Sequence, residues 1–540
     1  MARIPLSLAS SACLVALSTS VASTPAHAAS VSFSVDTTND TVDINPGDGL
    51  CRDAEGYCSL RAAVMELNAL GGGAVSVPAG TFRLARTGAS EDAGLTGDLD
   101  IWTDIHISGA AGASGPTTVI QAVGDRAVDV SDPTNLIQVA VSDVEFIDGD
   151  AGAGDGGAIR AAGGALLVSD CHFFGNTATE GGAIDFEGVF MTTSADTFDS
   201  NVADHGGAIA ARGEVTGGNS TFSNNEATAA NGRGGALYIP SGMFRLLDMT
   251  FEFNTATYGG AFFSSPAPMM TLTSGRAHLE RALFYGNDAA SGGAAWIEGA
   301  QRVEIADTLF LSNTADSDGG AVWAEAQLDV DRSSFVDNRT TASGGAIAWD
   351  GSGTGARLDI LNSTLGDNEA AYSGGGLFAD GGDVDITTST IADNEVTAGG
   401  GRGGGIYHAA AAGFRMTHTL VMRNRVSGAP YLSPLGNDIS AFSTPVVSAD
   451  HNIVGDALGS SFSSNPTDLV GSSTMSVVWP LTTLGYFGSP TLSYGMGWFS
   501  SARDGGASVC TTPGGAPVNV DQRGNPRPMG VACDIGAVEG

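Results

Sequence analysis

The chain has 540 residues, of which 59 are acidic and 23 are basic, so its formal net charge at pH 7 is −36. All of the basic residues are arginine. So acidic a protein repels nucleic acids and anionic lipid surfaces, which excludes DNA and RNA as partners, and it repels polyuronates unless a divalent cation bridges them. The simplest interpretation of the charge is that it keeps a large protein soluble.

The first 28 residues have the pattern of an export signal. Arg3 gives a positive start, an apolar stretch of small residues follows, and Ala26 and Ala28 occupy the positions that a signal peptidase inspects. No later segment approaches eighteen uninterrupted apolar residues, so we expect no membrane-spanning helix. We therefore predict a signal peptide over 1–28 and a secreted, extracellular or outer-surface location.

Cysteine usage fits an oxidising compartment. Cys51 lies near Cys58, and Cys510 lies near Cys533, while Cys171 stands alone in a strand-like context. We predict the disulfides Cys51–Cys58 and Cys510–Cys533, one near each end of the chain, and a buried, reduced Cys171.

Residues 29–100 are predicted to form an N-terminal cap and the first strands. Ser59 is a suitable N-cap, and Gly71 can end the helix. The residues predicted to lie on one helical face are Leu60, Ala63, Val64, Leu67 and Leu70. Such a helix would cover the open apolar interior of a first coil, whose strand edges would otherwise be exposed.

Two linked motifs recur through the centre of the chain. The first is an apolar residue three positions before Asn, with the Asn at 176, 201, 225, 254, 287, 313, 338, 368, 394 and 424. The second is Gly-Gly followed by Ala or Gly, starting at 156, 181, 206, 234, 259, 292, 319, 344, 374 and 403. Successive Asn residues are 24 to 33 positions apart, and short alternating runs between the motifs have strand periodicity.

This repeat predicts an all-β fold, a single-stranded right-handed parallel β-helix of ten to twelve coils over 101–430. Gly-Gly allows positive φ at a tight corner, the repeated Phe stacks in the interior, and the Asn residues form a hydrogen-bonded ladder. The rhythm stops after Asn424. Residues 431–540 are predicted to form terminal coils and an irregular, disulfide-pinned C-terminal cap.

Three stretches resemble known families. Cys58-Ser-Leu-Arg-Ala-Ala63 resembles the signature of the CSLREA domain of exported bacterial β-helix proteins, with Ala62 where that signature has Glu. The tail from Asp521 to Glu539 is similar to the choice-of-anchor Q domain. The pairing of GGAI with FxxN resembles the repeats of chlamydial polymorphic outer-membrane proteins, whose passengers act in adhesion. None of these resemblances implies a catalytic residue in this chain.

One acidic group lies just before the Gly-Gly corners. Asp155, Glu180 and Asp204 fall at nearly the same phase of successive coils, with His205 beside them and Asp318 further along. The simplest interpretation is a solvated acidic turn. The alternatives are calcium bound between coils by Asp155, Glu180 and Asp204, since hard oxygen ligands suit that ion, and catalysis. We expect no other cofactor.

The sequence favours a non-enzymatic surface protein over an enzyme, with a carbohydrate or a cell-surface or matrix ligand as partner. The alternative is a polysaccharide lyase or glycoside hydrolase acting along one β-helix face, which needs paired carboxylates, or a base beside a cation. The arginines are dispersed along the chain, and the coil lengths are too uniform to predict long loops that wall a cleft. No catalytic residue is therefore assigned.

Overall fold

The computed structural model describes residues 31–540, apart from 89–93, 132–133, 135, 266–275, 300–301, 326, 354, 410–412, 428–436, 443, 458–459, 461 and 472–480. The predicted signal peptide lies outside the described residues. The chain winds into a parallel β-solenoid of about 11 turns, which confirms the predicted fold class. Pairing between coils is parallel wherever it is described, and it begins before residue 101 and continues after residue 430.

Each complete coil has four sides, which we name A to D in chain order. In one coil they are Ile347–Gly351, Arg357–Leu361, Thr364–Gly366 and Glu369–Ala370. Side A follows the Gly-Gly corner, side C carries the repeated apolar residue, and side D follows the Asn. Strands Ile184–Ser194 and Ile209–Gly218 run through sides A and B without a break.

The remaining strands follow this order. Side A contains Leu99–Ile101, Val128–Ser131, Ile159–Ala162, Leu237–Ser241, Phe262–Ser264, Ala295–Ile297, Val322–Ala324, Leu377–Gly381, Ile406–His408 and Ile439–Ala441. Side B contains Ser32–Ser34, Gly73–Ser76, Ile105–Ser108, Gln138–Ser142, Ala165–Ser169, Phe244–Leu247, Arg276–Glu280, Arg302–Ala306, Gln327–Asp331, Asp383–Thr387, Phe414–Thr417, Val446–Asp450 and Phe462–Ser463. Side C contains Gly80–Leu84, Thr118–Ala122, Val144–Ile147, His172–Phe174, Thr197–Asp199, Thr221–Ser223, Thr250–Glu252, Leu283–Tyr285, Leu309–Leu311, Ser334–Val336, Thr390–Ala392, Leu420–Met422, Ile453–Val454 and Leu469–Val470. Side D contains Val202–Ala203, Glu226–Ala227, Thr255–Tyr258, Asp288–Ser291, Thr314–Ala315, Arg339–Thr340, Glu395–Val396 and Arg425–Val426. Two antiparallel pairs lie outside the coils, Ala111–Gly112 with Gly115–Pro116 and Leu481–Gly485 with Ser493–Met496.

Two ladders run through the interior. The phenylalanine rings of side C stack from Phe146 to Phe335 with centroids 4.6 to 5.1 Å apart. Beside them, each Asn side chain from Asn176 to Asn394 donates to the Asn one coil further on, over 2.8 to 3.0 Å. The last Asn donates to the fully buried Asp438. Aromatic stacking and buried amide hydrogen bonds thus hold neighbouring coils in register.

The Gly-Gly corners have the predicted geometry. The first glycine of each pair has φ between 59° and 77°, which a side chain would strain. The second glycine faces the next coil so closely that a Cβ at Gly320 would lie 2.1 Å from the carbonyl oxygen of Gly345. Both positions therefore require glycine.

The N-terminal helix Leu60–Leu70 forms as predicted. The Ser59 side chain accepts from the Ala62 N–H at 3.0 Å, and Gly71 ends the helix with φ 86°. The Arg61 guanidinium is buried, where it pairs with Asp40 at 2.6 Å and donates to the carbonyl oxygens of Gly97 and Asp98. The residues of the CSLREA-like stretch are thus packed into the cap.

The C-terminal segment, residues 481–540, is irregular and packs along the flank of the coils. The Gln522 side chain accepts from Thr364 Oγ1 at 2.6 Å and donates to Ser334 Oγ at 2.7 Å, which joins this segment to two coils of side C. Further along the same side, the Ala537 N–H donates to Thr390 Oγ1. Side C strands from Ser334 to Met422 are consequently buried on both faces. The predicted cap therefore extends over a side of the solenoid.

The structure pairs Cys51 with Cys58 and Cys510 with Cys533, the pairs that the sequence predicts. Cys171 is free and buried, and burial raises the pKa of its thiol. A thiol in this environment is a poor nucleophile.

Buried carboxyl groups predict that stability depends on pH. Burial raises the pKa of Asp98, Asp185, Asp196 and Asp438 to about 7, above the value of about 3.9 in an unfolded chain. Because the folded state binds these protons more tightly, the stability that they contribute is complete at acid pH and is lost as pH rises through about 7.

We therefore expect the melting temperature to fall by several degrees between about pH 5.5 and about pH 8.5. Asp98→Asn should reduce this dependence, because that variant has no proton to lose at this position. Scanning calorimetry across the interval measures the effect. A melting temperature that stays level or rises with pH would contradict the prediction.

Candidate ligand-binding groove

The acidic residues before the Gly-Gly corners are only partly brought together. The Gly156 N–H donates to the carbonyl oxygen of Glu180, and Glu180 forms a parallel bridge with His205. His205, and not Asp204, therefore follows Asp155 and Glu180 in register. The Asp204 carboxylate instead accepts from Thr228 Oγ1 at 3.5 Å. Asp318 lies further along, where its side chain accepts from the Ser343 N–H at 2.9 Å.

Arg212 already supplies positive charge at this edge. Its guanidinium binds Glu180 and lies 3.5 Å from Asp185 and 3.2 Å from Glu187. Burial and the charge of Glu180 raise the pKa of Asp155. A calcium ion shared by Asp155 and Glu180 would therefore compete with Arg212.

The calcium site remains a prediction, and chelation tests it. If calcium binds here, a chelator should lower the melting temperature by several degrees, because a ligand stabilises the state that it binds. Glu180→Gln should abolish the response to calcium. Superimposable calorimetric traces with and without chelator would contradict the calcium site. Asp155 and Glu180 would then belong to a solvated turn in which Arg212 balances the negative charge.

A groove of about 310 Å³ lies on side B. Its floor spans four coils, from strand Arg302–Ala306 to strand Asp383–Thr387, about 14 Å at one coil per 4.8 Å. Its volume is near the lower end of the range for ligand sites. The lining residues are Arg302, Glu304, Asp329, Val330, Asp331, Arg357, Asp359, Ile360, Leu361, Asp385, Thr387, Thr512, Pro513 and Gly514.

A row of carboxylates runs along the floor. Glu304, Asp329, Asp359 and Asp385 are directly in register on successive strands, and Arg415 follows them. Stacked like charges repel one another, so the row requires cations between its members.

Three arginines provide that compensation. Arg302 binds Asp329 through Nε and Nη2, Arg357 contacts Asp359 at 2.7 Å and Asp385 at 2.5 Å, and Arg415 contacts Asp385 at 2.7 and 2.8 Å. These arginines are dispersed along the chain, but the stacking of the coils brings them to one face of side B. The guanidinium groups pair with members of this carboxylate row, and each group holds the orientation of its partner.

A disulfide-bonded hairpin walls the groove. Val518 N–H donates to the Cys510 carbonyl oxygen, and Thr512 N–H donates to the Ala516 carbonyl oxygen, which places the tip at Thr512–Gly514. Cys510 is bonded to Cys533, and the two pack with Val518 against Leu361 of side B. The wall therefore comes from the C-terminal segment, so uniform coil lengths do not exclude a walled cleft, contrary to the sequence argument.

Asp331 differs from the other carboxyl groups of the groove. Burial raises its pKa to about 6, although Arg332 opposes the shift. Asp329, Asp359 and Asp385 instead pair with arginines. The groove thus combines Asp331, whose pKa is raised, with three carboxyl groups that pair with arginine.

The sequence contains a signal for this row that requires aligning the coils. Glu304, Asp329, Asp359 and Asp385 each lie six positions before the apolar residue of the next side C strand, at 310, 335, 365 and 391. Because outward-facing residues need not follow the interior repeat, motif spacing alone does not reveal them.

A second polar cluster lies near the last coils. Ligand atoms of His418, Asp450 and His451 lie within 4.8 Å of one another. However, His418 Nε2 accepts from the Ala507 N–H at 3.1 Å, so in the neutral ring the proton is on Nδ1 and that atom cannot bind a metal. Burial lowers the pKa of His418 to about 4. The ring therefore serves to dock the C-terminal segment.

Among the described residues, no helix has the length and apolar character needed to cross a bilayer. The fold and the groove thus define a parallel β-solenoid with a polar, walled face. Residues 219–240 and 307–325 match the Chlamydia polymorphic membrane protein repeat. Over 136 residues the chain is 35% identical to a Chlamydia pneumoniae protein described as probable outer membrane protein pmp6, a match that covers 24% of this chain and 10% of that protein. No solved structure matches the chain.

Proposed function

We propose that this chain is an exported or cell-surface β-helix protein that acts without catalysis in adhesion or in contact with an extracellular matrix. The match of two of its coils to the Chlamydia polymorphic membrane protein repeat carries the proposal. The similarity to a Chlamydia outer membrane protein supports an outer location. A stiff solenoid whose coils repeat the same outward positions is suited to presenting polar side chains to a ligand.

The cellular location is tested by protease treatment of intact producing cells. A surface protein should be cleaved or released by external protease, while a marker inside the cell remains whole. Protection of the chain in intact cells, with cleavage only after lysis, would contradict the proposal.

Adhesion is tested with beads that carry the folded mature chain, residues 29–540. Such beads should bind cultured cells or immobilised matrix in larger numbers than beads carrying the same chain after reduction and heat unfolding. Equal binding by the two preparations would refute an adhesive role.

Asp331 favours a second candidate function, a glycoside hydrolase acting along side B. In glycoside hydrolases, a carboxyl group with a raised pKa donates a proton, and a second carboxylate assists the displacement. Incubation with neutral and acidic polysaccharides distinguishes the two candidates. Release of reducing ends that Asp331→Asn abolishes and Asp204→Ala preserves would replace the binding function with catalysis.

A further inference from the structure

We propose that the side B groove binds a short stretch of a neutral, polyhydroxylated glycan, centred on Arg357 and Asp359. This assignment rests on the proposed function in that the ligand is an extracellular carbohydrate. It goes further by placing the site and by naming the chemical class of the ligand.

The centre of the groove keeps a donor beside an acceptor. Arg357 uses Nε for Asp359 and Nη2 for Asp385, so Nη1 remains to donate to a ligand. Asp359 receives both of its arginine contacts on Oδ2, so Oδ1 remains to accept. A sugar hydroxyl donates one hydrogen bond and accepts others, so it can use both atoms at once.

The ion pairs fix these two atoms before any ligand arrives. The Asp359 side chain is about a quarter exposed, and it is contacted at 2.7 Å by Arg357 of its own strand and at 3.7 Å by Arg302 from two coils earlier. A ligand therefore meets oriented groups and loses little affinity to ordering them. On the next coil, Arg357 and Arg415 occupy both oxygens of the buried Asp385, so Asp359 is the carboxylate that a ligand meets.

Charge selects among glycans. Five carboxyl groups and two guanidinium groups line the groove, and the whole chain has a net charge of −36. This excess opposes a polyuronate or a sulfated glycan. A polycation would have to displace arginines that already hold the carboxylates. A neutral glycan is not repelled by the carboxylates and displaces no arginine. It can form hydrogen bonds with the free donor of Arg357 and the free acceptor of Asp359.

The test uses the oxidised mature chain and isothermal titration calorimetry. The probes are neutral hexasaccharides of the cello, xylo, manno and malto series, with oligogalacturonate as the anionic probe and a chitosan oligomer as the cationic probe. We expect at least one neutral series to bind and the two charged probes to bind at least about tenfold more weakly.

Two variants locate the site. Arg357→Ala should weaken neutral glycan binding about tenfold or more, while Arg415 still pairs with Asp385 and keeps the fold. Gly514→Trp should block the groove from its wall, because the nearest atom to a Cβ there is Thr512 Oγ1 at 3.8 Å. The control is Arg339→Ala on side D, whose guanidinium contacts Asp337 and Glu369 outside the groove.

Tight binding of oligogalacturonate or chitosan in preference to every neutral series would overturn the assignment. So would neutral glycan binding that both groove variants retain, or an absence of binding by any probe. These failures are distinct from failure of the proposed function: beads that adhere equally well with Arg357→Ala or Gly514→Trp would leave adhesion standing without this groove. If the chain binds a neutral glycan in the groove but is protected from protease in intact cells, the groove assignment stands and the surface location fails.

Discussion

Replacing Asn313 by leucine should destabilise the protein by about 2–6 kcal/mol, since it removes the partner of the Asn287 N–H and of the Phe284 carbonyl oxygen and each buried group left unpaired costs about 1–3 kcal/mol. The Asn313 side chain is fully buried and belongs to four hydrogen bonds. Its Oδ1 accepts from the N–H and Nδ2 of Asn287, both at 3.0 Å, and its Nδ2 donates to Phe284 O at 3.1 Å and Asn338 Oδ1 at 2.9 Å. Leucine has a similar size but can make none of these bonds.

Urea unfolding followed by circular dichroism measures the loss. Asn39→Leu is the control, because Asn39 is exposed, and it should change the unfolding free energy by less than about 0.5 kcal/mol. A similarly small effect at Asn313 would show that the ladder contributes little to holding the coils together.

Arg527→Met should release the C-terminal segment, at a cost of about 3–5 kcal/mol, the range for breaking a buried ion pair. Arg527 lies 2.8 Å from Glu539, and the two side chains are 0% and 1% exposed. The guanidinium also donates to the carbonyl oxygens of Asp534 and Gly536. Without it, the Glu539 carboxylate is a buried charge whose cationic partner is gone.

Limited proteolysis of the C-terminal segment and thermal unfolding report the change. Arg425→Ala is the matched control, because it breaks an arginine–glutamate pair in which Arg425 is 70% exposed, and such surface pairs contribute about 0–1 kcal/mol. Adding Glu539→Gln to Arg527→Met should recover part of the stability, because it removes the buried charge. Equal protease resistance of the wild type and Arg527→Met would refute the role of this pair.

The residues 521–539, noted for their similarity to the choice-of-anchor Q domain, therefore have a structural role in this chain. Asp521 is buried and accepts from the N–H groups of Asn525 and Glu539. Gln522 joins the segment to side C, and Arg527 ties its end together. Because this same segment carries the groove wall, its docking and the shape of the groove are linked.

The sequence alone determined the solenoid. Phe310, Asn313 and Gly319 recur in phase with their counterparts in the other coils, and each contacts the equivalent residue of the next coil. When a repeat contacts mainly its neighbours, the local pattern is also the tertiary pattern, so stacking, ladder and corners can be predicted from spacing. The N-terminal helix was predictable for a similar reason, since Ser59 and Gly71 act within their own turns.

Only the tertiary structure decided the groove and the surroundings of Asp155, Glu180 and Asp204. Arg302 and Asp359 are 57 positions apart in sequence, and they meet only because the coils stack. Arg212 reaches Glu180 across coils in the same way, and a one-residue difference in phase puts His205 where Asp204 was expected. Close packing in the interior restricts each inward position to a side chain of similar size and shape, so these positions repeat in the sequence. Outward side chains are not packed in this way, so their identities need not repeat. The C-terminal segment has no repeat, and its place along side C follows from long-range contacts such as those of Gln522.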